Sequence, residues 1–282
     1  MKSRFELAAV ALRWPVAFCL GALLFLAPVT LTQVQAREGV DVGGNSAFSK
    51  LVPADAIEKS AAQQYAQMMQ QASAQKALAP KDNAQLQRLR AIATKIIPFS
   101  FEWNDRAKVW RWEVNLIGSK QINAFCMPGG KIAFYSGILD QLKLTDDEVA
   151  MVMGHEIAHA LREHARERMG KNAATNIGAG VLGQLFGLGN LGQTLTNYGA
   201  QLLTLQFGRE DESEADLVGM ELAARAGYNP RAGVTLWQKM GAASKGAPPQ
   251  WLSTHPSGQS RIADIERNLP KVLPLYERAR GK

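Results

Sequence analysis

The sequence predicts an α+β fold, mainly helical, with one small antiparallel β-sheet beside a helix that opens at Thr145. Two periodicities carry that reading. Apolar residues recur every three to four positions in most segments, whereas a two-residue alternation is confined to the stretch 109–135. Composition is the third observation: with 282 residues, 46% apolar and 20% charged, the chain suits one domain with a sizeable core.

The elements follow in order. Lys2, Arg4 and Arg13 precede an apolar run from Trp14 to Leu31, and Val34-Gln35-Ala36 carries small or apolar residues where a signal peptidase reads. Residues 1–36 are expected to be a cleaved signal peptide, which places the mature protein in the periplasm or cell envelope. The run is nearly long enough to span a bilayer, so an uncleaved anchor is the lesser alternative. Phe18 stands before Cys19, where a lipoprotein signal needs a small residue. Residues 37–53 contain Gly and Ser without periodicity and read as a flexible leader, and 54–282 read as a single domain.

A run rich in Ala, Gln and Met from Ala54 to about Ala77 reads as a helix, and a second, after Pro80 and Asp82, carries Leu86, Leu89, Ile92 and Ile96. In Val109–Leu116, Trp110, Trp112, Val114 and Leu116 alternate with Arg111, Glu113 and Asn115, which is the pattern of a half-buried strand. Ile122–Phe125 and Lys131–Tyr135 add two strands around the turn Pro128-Gly129-Gly130. Thr145 and Glu148 form a capping box that opens a helix running to about Arg168. Asn172–Gly208 is uncharged and rich in Gly, and is expected to form loosely packed buried helices rather than a lid or membrane-contacting hairpin. Helices over Glu210–Ala226 and Ala232–Ala243, the loop Gly246–Gln250 and a last helix from Ser257 complete the chain.

The formal charge is +7, and losing Lys2, Arg4, Arg13 and Glu6 with the signal leaves +5. No Lys/Arg cluster marks a nucleic-acid surface, so nucleic acid is excluded as a partner. Of the two cysteines, Cys19 lies in the signal, which leaves Cys126 without an internal partner; flanked by Phe125 and Met127, it reads as a buried, inert thiol.

His155-Glu156-Ile157-Ala158-His159 lies inside the capped helix. At 100° per residue the two imidazoles are one turn and about 40° apart, so both can reach one ion. Two neutral imidazoles, a carboxylate and an open fourth position suit Zn²⁺, one per chain. Glu156 is placed to act as general base. The helix-spaced third histidine of metzincins is absent, since Arg162 and Ala165 stand where Gly and His are required. Downstream, Glu212 and Asp216 share one helical face, with Glu214 about 200° away. Glu212 is therefore the expected third ligand, and Asp216 the acceptor that fixes the tautomer of a ligating histidine. Asp211 and Glu214 read as solvated, and His164, nine residues past His155 and thus on the opposite face, as structural.

Asn123-Ala124-Phe125-Cys126-Met127-Pro128-Gly129-Gly130, the stretches Gly154–His164 and Glu212–Gly219, and His255-Pro256 with Arg261 resemble the HtpX and CAAX-prenyl-protease superfamily of gluzincin zinc metallopeptidases. Within it they are similar to the soluble envelope branch, with LoiP and BepA, and to the mitochondrial Oma protease. The resemblance covers roughly 55–270 and implies a gluzincin domain. It implies that substrate adds to the sheet edge near Asn123 and Ala124, and that His255 and Arg261 face the cleft as catalytic groups for an oxyanion. His255 has a second expected role, as a latch ligand that occupies the fourth coordination position at rest.

The expected function is zinc-dependent cleavage of unfolded or misassembled envelope proteins in quality control. Contact with the membrane or the outer-membrane assembly machinery is a further expectation. The alternatives are a chaperone-like binding protein with a vestigial metal site and a membrane-tethered processing protease.

Overall fold

Thr145 and Glu148 form the expected reciprocal cap, with the Glu148 amide donating to Thr145 Oγ1 at 3.3 Å and the Thr145 amide to Glu148 Oε2 at 2.8 Å. The helix they open is covered on every side from Glu148 to Leu161, the signature of a helix at the centre of a domain. The structure, a computed structural model, describes residues 37–176, 202, 205–244, 249–255 and 259–281. The chain divides after Arg37 into two units, and all the elements below belong to the second, Glu38–Lys282. The expected signal peptide 1–36 and most of the uncharged stretch 172–208 lie outside the described residues.

In chain order the elements are α1 (Ala54–Ala74), α2 (Ala84–Ile96), β1 (Glu113–Ile117), β2 (Ala124–Met127), β3 (Lys131–Tyr135), α3 (Ser136–Leu142), α4 (Asp146–Leu161) and α5 (His164–Asn176). Then come α6 (Arg209–Arg225), α7 (Ala232–Ala243), α8 (Gln250–Thr254) and α9 (Gln259–Arg280). The Asn83 side chain caps α2 through the Leu86 amide at 3.0 Å. The main core joins α2, the sheet, α4, α6, α7 and α9, with Leu89, Ile96, Phe134, Ile157, Leu222 and Val272 fully buried.

The fold class is as expected, with two differences of detail. The sheet has order β1-β3-β2 and is mixed, because β1 runs parallel to β3 while β2 pairs antiparallel to it. The tight turn at Gly129-Gly130 fixes the β2–β3 hairpin, whereas the longer connection from β1 lets that strand enter on the far side of β3. The second difference is that the helix expected from Thr145 to about Arg168 breaks after Leu161. Glu163 adopts a left-handed conformation (φ 60°), and α5 starts in a new direction at His164.

The stretch 38–53 lies along this body through defined contacts. Val40 is buried and its amide donates to Glu221 Oε2 at 2.8 Å, the Glu38 carbonyl accepts from Arg225, and the Gly43 carbonyl accepts from Arg162. Among the described residues no helix is long and apolar enough to cross a membrane.

Candidate metal centre

Two glycines decide how the site is assembled. A Cβ on Gly154 of α4 would lie 2.5 Å from the Gly219 carbonyl of α6, and one on Gly219 would lie 2.5 Å from the His155 amide. With no side chain at either position the two helices meet backbone to backbone. Asp216 and Glu212, about one and two turns before Gly219, are thereby brought against His155 and His159.

His155 Nε2 and His159 Nε2 stand 3.0 Å apart. Glu212 reaches both, at 3.6 Å from His155 Nε2 and 3.4 Å from His159 Nε2. His255 joins them: one ligand atom from each of these four buried residues lies within 4.8 Å of every other. The remaining ring nitrogens are engaged elsewhere. His155 Nδ1 lies 3.0 Å from Asp216 Oδ1, a carboxylate that only accepts, so its proton is on Nδ1 and the Nε2 lone pair is free. His255 Nδ1 donates to the Trp251 carbonyl at 3.1 Å, and His159 Nδ1 faces His164 Nδ1 at 2.8 Å. Glu212 Oε1 and His255 Nε2 have no hydrogen-bond partner although buried. Four convergent nitrogen and oxygen atoms fit a divalent cation, and three imidazoles with one carboxylate are a borderline-soft set.

Electrostatics point the same way. Burial drives His155 down to about 4 and His159 well below the usual range, keeping both neutral as ligands must be. Burial also pushes Glu212 up to about 9 and Glu156 up to about 8, against the pull of Arg261. Burial opposes ionisation of Asp216 too, but Arg261 and His155 outweigh it and hold that carboxylate at about 2. The cluster therefore has more carboxylates than Arg261 alone can neutralise, which is a cation site's charge balance.

Glu156 stands beside this group. Its Oε1 accepts from Trp251 Nε1 at 2.6 Å and lies 3.7 Å from His255 Nε2. Trp251 stacks on His255, with centroids 4.9 Å apart, and its amide donates to the Ile122 carbonyl, fastening α8 to the start of β2. Asn123, Ala124, Glu156, His159 and His255 line one pocket, closed on its apolar side by Leu205 and Phe207. β2 is an edge of the sheet, so the pocket runs along an open strand.

Arg261, expected to face the cleft, lies behind the ligands. It donates to Glu212 Oε2 at 2.5 Å and to Asp216 at 2.6 and 2.8 Å, with its guanidinium 3.7 Å over the Trp237 ring. Both carboxylates are thus fixed from one cation, a positioning geometry rather than that of an oxyanion donor. Asp211, expected to be solvated, instead accepts the Gly208 amide at 2.8 Å and caps α6. Cys126 is buried and unpaired, and burial pushes its thiol well up.

Sequence reasoning missed several neighbours. Phe207 stacks on His159 at 4.0 Å, within the uncharged stretch where no pattern marked it. Trp251 sat next to a loop without a partner signal. Glu214 is bonded to Arg162 and to His164 rather than facing solvent. The break at Glu163 has turned His164 back onto His159, and neither Gly nor Pro announced it.

A family profile described as "Peptidase family M48" matches residues 80–269. The chain belongs to peptidase family M48. Among M48 relatives, it is 43% identical over 150 residues to the mitochondrial metalloendopeptidase OMA1 of Arabidopsis thaliana, covering 53% of this chain and 30% of that protein. It is 32% identical over 173 residues to the beta-barrel assembly-enhancing protease of Yersinia pestis, covering 56% of this chain and 35% of the relative. Metalloprotease LoiP of Escherichia coli K12 is 29% identical over 231 residues, 80% of this chain and 86% of its own length. The chain thus spans about a third of the length of the first two. The M48 profile takes in β1–β3, α4, α6 and the start of α9, hence every residue of the cluster.

Proposed function

We propose that this protein is a zinc-dependent endopeptidase of the cell envelope that cleaves unfolded or misassembled proteins. The observation that carries the reading is the convergence of four buried acceptors on His155, His159, Glu212 and His255, next to Glu156 and along an open sheet edge. Zinc, when bound there, supplies a Lewis acid for a peptide carbonyl and makes water a competent nucleophile at neutral pH.

The chain's own groups do the rest. A substrate segment adds to β2 near Asn123 and Ala124, where backbone amides and carbonyls read an extended chain with little regard for its side chains. Glu156 takes the proton from the attacking water and delivers it to the amide nitrogen as the C–N bond breaks. The Trp251 N–H holds the carboxylate in place for both transfers. Asp216 keeps the His155 proton on Nδ1, and Arg261 fixes Glu212 and Asp216 together. His255 is a latch at rest, with its free Nε2 turned to the ligand cluster, and leaves when substrate enters. An N-terminal signal ending at Ala36 delivers the protein to the envelope.

Casein digestion by wild type and Glu156→Gln, each assayed for zinc, tests the assignment. The variant should keep its metal and lose about 100- to 10,000-fold in rate, the range of general-base effects. Digestion at the wild-type rate removes Glu156 from the chemistry.

A further inference from the structure

We infer that His164, with Glu214 and Arg162, is a positioning group that fixes the tautomer and orientation of His159, as Asp216 does for His155. The inference rests on the metal-centre reading above and assigns to three residues a role that neither the helical pattern nor the pocket gave them.

Geometry carries it. His164 Nδ1 is 2.8 Å from His159 Nδ1, and His164 Nε2 is 3.3 Å from Glu214 Oε2. Glu214 is bonded in turn by Arg162 Nε, whose Nη2 donates to the Gly43 carbonyl at 2.9 Å. His164 and Arg162 are both buried. A carboxylate only accepts, so the His164 proton is on Nε2 and its Nδ1 offers a lone pair. His159 Nδ1 must then be the donor, which leaves the His159 Nε2 lone pair pointing at His155 and Glu212. Reversing any one proton in this chain places a hydrogen on His159 Nε2 and ruins it as a ligand.

The backbone is shaped for this contact. Had α4 continued, His164 would point away from the ligands; the left-handed turn at Glu163 redirects it. A left-handed conformation is strained for a non-glycine residue, and such strain concentrates where surrounding structure needs one geometry. Phe207 stacks on a face of the His159 ring while His164 meets its Nδ1 edge, so the imidazole is fixed in plane by Phe207 and in rotation by His164.

Zinc affinity measured by chelator competition tests the inference independently of proteolysis. His164→Leu should bind zinc about 10- to 100-fold more weakly than wild type, the range for lost partners of ligating histidines. His164→Asn, whose amide oxygen replaces the Nδ1 acceptor, should recover most of that affinity, which a purely structural role would not predict. Glu214→Ala should lose several-fold, in a protein whose circular dichroism is unchanged. With only four histidines in the chain, long-range ¹H–¹⁵N spectra of the zinc-loaded protein should show His159 protonated on Nδ1 and His164 on Nε2. Equal zinc affinity of His164→Leu and wild type, or a proton on His164 Nδ1, overturns the inference while leaving the metal centre standing. Failure of wild type to bind zinc any better than Glu212→Ala removes the metal-centre reading itself, and this inference with it.

Discussion

A carboxyl group sealed against a tryptophan and a neutral imidazole keeps its proton longer than one in water, and Glu156 is so placed beside Trp251 and His255, pushed up to about 8 by burial. A cation among the neighbouring ligands lowers that value toward the range in which a base exchanges protons readily. His255 is the residue whose role is most sharply divided by experiment. Its Nε2 is buried without a partner, and its ring lies 5.2 and 5.0 Å from those of His155 and His159. As a latch it withholds the fourth position, so His255→Ala should raise basal proteolysis, by about 10-fold if the latched form is nine-tenths populated. A drop in turnover of about 100-fold at unchanged zinc content would instead make it a transition-state donor. At this scale much was legible in sequence. The i, i+4 spacing put His155 and His159 side by side, and helical phase put Glu212 and Asp216 on the face of their helix that meets them. The same phase misplaced His164, because it assumes an unbroken helix, and Arg261 was read through resemblance alone and aimed at the wrong side of the ligands.

Element boundaries explain both the successes and those misses. The capping box of α4 was visible because it is local chemistry, four residues long, whereas the turn at Glu163 is imposed by tertiary contacts of Arg162 and His164. The parallel β1–β3 pairing was hidden likewise, since alternation identifies a strand but not its neighbour. Glu148 does more than cap. Burial disfavours its charge, but bonds from Lys239 at 2.6 Å, the Thr145 amide and Thr235 outweigh that and hold its carboxyl below the usual range. A carboxyl depressed in the folded state stabilises above its unfolded pKa, and that contribution is lost as pH falls through the folded value. Glu148→Gln should therefore melt a few degrees below wild type at pH 7, for a loss of about 1 kcal/mol. The gap should close as the pH falls below the ordinary carboxylate range. A gap that is constant with pH would show that packing, not the carboxylate charge, accounts for the difference.

Across the whole molecule, the four convergent residues come from α4, α6 and the segment just after α8, and Arg261 from α9 joins the two carboxylates of α6. A cation held by this set ties together elements distant in sequence, so its binding should register as global stability. Glu156, Glu212 and Asp216 bring three carboxyl groups to one buried region, and burial keeps protons on Glu156 and Glu212 up to about 8 and 9. Zinc must displace the Glu212 proton to bind, so its affinity rises with pH over the range below that value. At a free zinc concentration about 100-fold above Kd, binding to the folded state alone stabilises by about 2.7 kcal/mol. For a domain of this size that corresponds to roughly 5–10 °C in Tm. Chelator-stripped protein should accordingly melt lower than the zinc-loaded form, regain its Tm on adding zinc, and show a larger shift at pH 8 than at pH 6. Glu212→Ala should show almost no shift at either pH. Calorimetry on the stripped and reloaded proteins decides the matter: an unchanged wild-type Tm, or a shift as large in Glu212→Ala, would place any bound zinc outside the His155, His159 and Glu212 set.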